Sequence, residues 1–147
     1  MKICIIGSGY VGLVSGACFS DLGNTVTCVD INKDIIEKLN KGIIPIYEPG
    51  LQELVLRNLK KKRLLFSTDI SSSIKKSDII FICVGTPTKN NKADLKYVYN
   101  VVKSIKSNLN KYKIIVTKST VPVTTGDKIE KILNSKKNQN KFDVISN

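Results

Sequence analysis

The chain contains no histidine. That absence removes Ser-His-Asp and Cys-His nucleophilic catalysis, histidine-based hydride transfer and nearly every transition-metal site from these residues. No metal site is expected. Long apolar runs are missing too: the longest, Ile79 to Val84, falls far short of the ~18 residues a membrane span requires. No membrane partner is expected. The four cysteines, Cys4, Cys18, Cys28 and Cys83, form no Cys-x-x-Cys pair. A lipoprotein-type leader can be sketched over residues 1–18 from Lys2 to Gly16-Ala17-Cys18. Three glycines at motif spacing interrupt its apolar stretch, and the reading is set aside. The thiols therefore read as reduced thiols of a cytoplasmic protein.

Acidic residues are scarce, 12 against 24 basic ones, for a net charge of +12. Such an excess raises the question of a polyanionic partner. The basic residues are mostly lysines scattered along the chain. Their only dense run, Lys60-Lys61-Lys62-Arg63, has no interleaved aromatics to stack on bases. They read as solvated faces, and no nucleic-acid partner is expected. With 147 residues, 41% hydrophobic and 24% charged, the chain has the size and balance of one globular domain, which excludes disorder and fibrous repeats.

Short apolar segments alternate with helical patterns. Lys2 to Gly7 reads as a buried strand and residues 11–23 as a helix stopped by Gly23. Thr25 to Asp30 is a second strand, Asp34 to Lys41 a short helix ending at Gly42, and Pro49 opens another helix in its first turn. Leu64 to Ser67, Asp78 to Val84, Lys113 to Thr117 and Phe142 to Ile145 read as further strands. Ser71 to Lys76, a helix capped by Asp94 and running to about Asn108, and Val123 to about Leu133 lie between them. Gly85 to Ala93 reads as polar loop. Strands without alternation, separated by helices, predict an α/β fold: a doubly wound parallel sheet of six strands in the order 3-2-1-4-5-6.

Gly7-Ser8-Gly9-Tyr10-Val11-Gly12 is Gly-x-Gly-x-x-Gly between the first strand and first helix. Gly7 permits the tight turn, Gly9 lets a pyrophosphate approach the backbone, and Gly12 lets helix pack close to strand. The free amides of the helix start then face the phosphates, with the helix dipole behind them. Asp30 ends the second strand near the ~20-residue distance expected of a ribose-binding acid. A 2′-phosphate beside that carboxylate places like charges together, so NAD is expected rather than NADP. No Lys-Ser/Thr follows Gly12, which excludes a P-loop.

Three further segments stand in order along the chain: Ile46-Tyr47-Glu48-Pro49-Gly50-Leu51, Val84-Gly85-Thr86-Pro87 and Lys118-Ser119-Thr120-Val121-Pro122-Val123. Together with Gly9 to Leu13 they resemble the UDP-glucose/GDP-mannose dehydrogenase family. The Lys-Ser-Thr-Val-Pro-Val form resembles the UDP-glucose branch more than the GDP-mannose branch. The resemblance covers the whole chain. It implies a four-electron oxidation in which a sugar nucleotide's C6 alcohol passes through an aldehyde and an enzyme-bound thioester to a uronate, with two NAD reduced. It also implies cofactor contacts at Tyr10, Val11, Gly85, Thr86, Pro87, Ser119 and Thr120, with the Thr120 hydroxyl helping to position the hydrolytic water. The location of both threonines, beyond strand ends where doubly wound folds bind ligands, fits that implication independently; a hydroxyl both donates and accepts, as orienting a water requires. Glu48-Pro49-Gly50 reads as an ordinary helix start.

Some positions depart from the family pattern. Ile35 stands where the family commonly has Lys or Arg near the adenosine, and Lys33 is the residue left to take that place. Thr124 replaces a usual glycine, and Asn91-Lys92 a usual acid-glycine turn. By the resemblance, Pro-Glu-Phe-Leu is expected directly after Asn147, then a dimer-forming helix and a sugar-nucleotide domain. That region carries the catalytic cysteine, lysine, asparagine and aspartate. Residues 1–147 are thus expected to be the NAD-binding domain alone, inactive by itself, of an enzyme that is a homo-oligomer at full length. None of the four cysteines is expected to be the nucleophile: three lie in strands, and Cys18 packs in a helix as a small hydrophobe. Tyr99 and Lys103 match the Tyr-Lys pair of short-chain dehydrogenases, but sit mid-helix and read as packing and solvated charge. The rival reading is a free-standing NAD-binding regulatory or sensor module, which has no use for the Lys118–Val123 motif.

Overall fold

The structure, a computed structural model, describes residues 1–89, 92–136, 138 and 141–147. In chain order the elements are β1 (Lys2–Ile6), α1 (Tyr10–Asp21), β2 (Thr25–Val29), α2 (Lys33–Asn40), α3 (Leu51–Lys60), β3 (Leu64–Ser67), α4 (Ile70–Lys76), β4 (Ile79–Ile82), β5 (Thr88–Lys89), β6 (Lys92–Ala93), α5 (Lys96–Asn108), β7 (Lys113–Thr117), α6 (Thr125–Leu133) and β8 (Phe142–Ser146). Six strands pair in parallel in the order β3-β2-β1-β4-β7-β8. Counted within that sheet alone, this is the expected 3-2-1-4-5-6. The fold is a Rossmann-type doubly wound sheet.

Both faces of the sheet are covered because successive strand side chains point to opposite sides. Ile3 and Ile5 of β1 enter one core with Leu13, Ala17, Leu39 and Val55 of α1, α2 and α3. Cys4 and Ile6 of the same strand enter the other, with Ile74, Val98, Ile105 and Ile129 of α4, α5 and α6. On α5 the buried residues are Val98, Val101, Val102 and Ile105, the stripe of a helix packed on one side. Asn32 Oδ1 accepts from the Ile35 amide at 3.2 Å and Asp69 Oδ1 from the Ser72 amide at 3.0 Å, capping α2 and α4. Gly23 and Gly42, with φ of +93° and +74°, end α1 and α2.

Four local expectations are corrected. Gly85 to Ala93 is not all loop: Thr88 pairs with Ala93 and Lys89 with Lys92, antiparallel. Asn91 lies outside the described residues. Pro49 does not sit in a helix's first turn; Gly50 caps α3 with φ +78°, and α3 begins at Leu51. Leu95, rather than Asp94, holds the cap position of α5, although Asp94 Oδ1 still accepts from the Lys96 amide at 2.9 Å. β4 ends at Ile82, short of the expected Val84; the Ile82 carbonyl accepts the last rung of the β4–β7 ladder from the Lys118 amide at 2.9 Å and a further bond from the Ser119 amide at 3.1 Å. Among the described residues no helix is long and apolar enough to cross a membrane.

Lys113, at the start of β7, is fully buried. Its Nζ donates to the Ser77 carbonyl at 2.5 Å and the Lys75 carbonyl at 3.3 Å, closing the C-terminus of α4. Burial holds its pKa below the ordinary 10.5, with Lys111 adding to the shift. In that window the unfolded chain holds a proton that the folded chain has released, so this group makes stability rise with pH. Wild type is therefore expected to gain on Lys113→Met as pH climbs toward 10.5, read from urea midpoints across the range. A gap that shrinks over the same range would contradict the placement of this ammonium.

Candidate functional site

The sheet order turns back between β1 and β4, and beyond the carboxyl ends of these strands lies a cleft of about 450 Å³. Gly7 and Gly9 form one wall, Asp30 and Ile31 a second, and Cys83, Val84 and Gly85 a third. Tyr97 and Asn100 of α5 close the remaining side.

Each glycine of the turn has its own reason. Gly7 has φ +105°, and a Cβ there would meet the Cys83 carbonyl oxygen at 2.6 Å. A Cβ on Gly12 would lie 1.8 Å from the Gly7 carbonyl oxygen, so α1 can rest on the end of β1 only if residue 12 has no side chain. Gly9 differs: a Cβ there meets nothing within 4 Å, so no packing inside the chain demands glycine. The open space before it is what an outside group approaching the α1 amides needs. Ser8 Oγ, in the same turn, is buried without a hydrogen-bond partner.

Asp30 is tied to this turn: its Oδ2 accepts from the Ser8 amide at 2.8 Å and its Oδ1 from the Asn32 amide at 3.0 Å. Two bonds leave free lone pairs on a carboxylate that offers about four. Sugar hydroxyls in the cleft can donate to them. These features fit a dinucleotide with its pyrophosphate at Gly9 and a ribose at Asp30.

Of the sequence-predicted residues, the structure brings Gly7, Gly9, Asp30 and Gly85 to the cleft wall and buries Gly12 directly behind it. Thr86, Pro87, Ser119 and Thr120 lie on the neighbouring loops after β4 and β7. Thr86 Oγ1 donates to the Thr120 carbonyl at 2.9 Å, joining the two loops. Ser119 is turned inward, its hydroxyl donating to the carbonyls of Val84 at 2.7 Å and Ile82 at 3.3 Å. Thr120 is exposed. Tyr10 and Val11 open α1 with exposed side chains, and the Tyr10 hydroxyl donates to Glu48 Oε2. That bond ties the glycine turn to the Ile46–Leu51 segment. Lys33 starts α2, exposed and away from the cleft wall, while Ile35 packs against the core under α2. Tyr97 and Asn100 were not anticipated. Their one signal is spacing: three apart, off the buried stripe of the helix that follows β6.

The cysteines divide by environment. Burial pushes Cys4 up to about 12, pushes Cys28 up as well, and raises the half-buried Cys83 to about 11. None is an activated thiolate. Cys18 is exposed, contrary to its expected packing. The buried positions of α1 are Gly12, Leu13, Gly16, Ala17 and Ser20, a stripe that leaves position 18 on the outside. A bulky maleimide is expected to label Cys18 first, Cys83 slowly, and Cys4 and Cys28 only after unfolding. NADH is expected to slow labelling of Cys83 and not of Cys18, which peptide mass mapping reads directly. Equal labelling of Cys83 with and without NADH would place the cofactor elsewhere.

Comparison with known proteins bears on the same residues. The sequence pattern of a family described as "UDP-glucose/GDP-mannose dehydrogenase family, NAD binding domain" matches residues 1–147. UDP-glucose 6-dehydrogenase TuaD of Bacillus subtilis is 53% identical over 148 residues, covering 99% of this chain and 32% of that protein. The solved UDP-glucose dehydrogenase of Pyrobaculum islandicum superposes with a TM-score of 0.93 at 34% identity, over 99% of this chain and 35% of the other. The GDP-mannose dehydrogenase of Pseudomonas aeruginosa gives 0.89 at 36% identity, over 98% and 35%. The chain thus spans about a third of the length of the relatives it matches.

Proposed function

Because the chain belongs to the UDP-glucose/GDP-mannose dehydrogenase family, as its NAD-binding domain, we propose that it serves an enzyme that oxidises UDP-glucose to UDP-glucuronate in two NAD-dependent steps. The observation that carries the cofactor half of this reading is the cleft on which Gly9 and Asp30 converge. The names of the relatives and the Lys118–Val123 motif support the substrate. Bound NAD supplies a hydride acceptor. Around it, the amides opening α1 hold the pyrophosphate, with Tyr10 and Val11 flanking them, and Asp30 orients the ribose. Gly85 and Pro87 border the nicotinamide side together with Thr86 and Ser119. Thr86 also holds the carbonyl of the exposed Thr120, whose hydroxyl orients the water of the hydrolytic step. Lys33, exposed at the start of α2 beyond the cleft wall, is the residue left to reach the adenosine in place of the family's basic residue.

In this reading residues 1–147 are one domain of a longer, homo-oligomeric enzyme, whose thioester-forming cysteine lies outside them. Its free thiols suit the reducing cytoplasm. A GDP-mannose-type substrate is the second reading, favoured by the likeness to the Pseudomonas enzyme. Reading the encoding DNA beyond Asn147 and assaying the encoded protein tests both. Two NADH per UDP-glucose is the expected stoichiometry. Turnover of GDP-mannose alone would favour the second reading, and turnover of neither would refute both.

A further inference from the structure

Tyr97 and Asn100 border the cleft, and neither serves the fold. Tyr97 is 51% exposed. Asn100 is exposed as well, and Ser104 Oγ engages only its main-chain carbonyl, at 3.2 Å. Among the described residues the Asn100 side-chain amide has no hydrogen-bond partner.

The lengths of two helices leave room beside this pair. α4 has seven residues and α5 thirteen. Ser71, in the first turn of α4, donates to Asn108 Oδ1 at the end of α5, and Asn110 Nδ2 donates to the Lys75 carbonyl at 3.1 Å. α4 thus lies beside the last turn of α5, and Val101 stands about 10 Å further toward the cleft, at 1.5 Å per residue. Above α4 the first turns of α5 face the open space of the cleft. Ile70 and Val101 floor it, continuous with the core below. On its β2 side stands Ile31, 88% exposed and directly after Asp30.

This slot is apolar on its faces and polar at two places, the Asp30 carboxylate and the Asn100 amide. A sugar hydroxyl meets the first, so the group carried by that sugar enters the slot. A nucleobase suits it, being flat enough to stack on an aromatic ring and polar along its edge. We propose that Tyr97 and Asn100 select the base of the dinucleotide, Tyr97 by stacking on adenine and Asn100 by accepting from its 6-amino group and donating to a neighbouring ring nitrogen. The inference rests on the dinucleotide reading of the cleft and deepens it, making the site selective for the base as well as for the ribose. A side-chain amide presents an acceptor and a donor side by side, the pattern that pairs with adenine. A 6-oxopurine offers a carbonyl where adenine offers the amino donor, so one arm of that pair is lost. A wholly apolar slot would hold both bases alike.

The test is titration of the chain with NADH and with reduced nicotinamide hypoxanthine dinucleotide, its 6-oxopurine analogue, followed by nicotinamide fluorescence. A bidentate amide–base pair discriminates roughly tenfold or more, and NADH is expected to bind tighter by that factor. Asn100→Leu removes both bonding groups at an exposed position and is expected to weaken NADH roughly tenfold, the analogue less, closing the gap. Tyr97→Leu is expected to weaken both dinucleotides, each roughly tenfold, and to keep the gap. Unfolding midpoints of both variants separate these effects from loss of the fold. Equal affinity of the wild type for the two dinucleotides, or an Asn100→Leu chain that loses both alike, would overturn the proposal and leave the cofactor site standing. Binding of neither by the folded wild type would overturn the proposal together with the dinucleotide reading beneath it.

Discussion

Gly12→Ala is expected to destabilise the chain by about 3 kcal/mol, the upper range for an overpacked core position, and to abolish NAD binding. The added methyl would stand 1.8 Å from the Gly7 carbonyl oxygen, and that oxygen belongs to backbone rather than to a flexible side chain. Relief requires α1 to lift from the end of β1 or the turn to open. Either movement carries away the amides that face the cleft. A fall in melting temperature of roughly 10 °C follows from such a loss in a domain of this size. Thermal unfolding followed by circular dichroism measures it. A variant that melts with wild type would mean that helix and strand lie further apart than a 1.8 Å approach of the Gly12 Cβ position to the Gly7 carbonyl oxygen allows.

Gly9→Ala is expected to do the reverse, sparing the fold and damaging only the site. Gly9 has φ −70° and ψ −168°, a conformation alanine adopts without strain. Its Cβ would meet no atom of the chain within 4 Å. Stability is thus expected to hold or rise by about 0.5 kcal/mol, since alanine restricts the unfolded chain. Binding of NAD is expected to weaken at least roughly tenfold, because the methyl occupies the space through which a pyrophosphate reaches the backbone. Calorimetric titration paired with a melting curve separates the two effects. Unchanged affinity in a stable Gly9→Ala chain would show that the phosphates lie elsewhere.

The contrast between these glycines also shows what a sequence can disclose. The turn, Asp30 and the order of the six strands were legible, because buried parallel strands appear as unbroken apolar runs and the phosphate turn demands glycine at fixed spacing. Which glycine serves packing and which serves a ligand follows from the motif, but only the neighbouring atoms show it. Tyr97 and Asn100 escaped notice because periodicity identifies the buried stripe of α5, Val98 to Ile105, and says nothing about which of its polar faces borders a cleft. The β5–β6 pairing leaves no mark in the sequence, because Thr88, Lys89 and Lys92 carry no apolar alternation. The bond from Thr86 to the Thr120 carbonyl crosses two loops 34 residues apart in sequence, and no local pattern encodes it.

The direct test of the cofactor site is titration of the chain with NADH and, separately, with NADPH, followed by nicotinamide fluorescence and repeated with Asp30→Ala. The site as described predicts saturable binding of one NADH per chain. It also predicts NADPH binding weaker by roughly a hundredfold, because the 2′-phosphate would face the Asp30 carboxylate at a cost of several kcal/mol, and a narrowing of that gap in Asp30→Ala. Equal affinity for the two dinucleotides, or no binding of either by a folded chain, would contradict it.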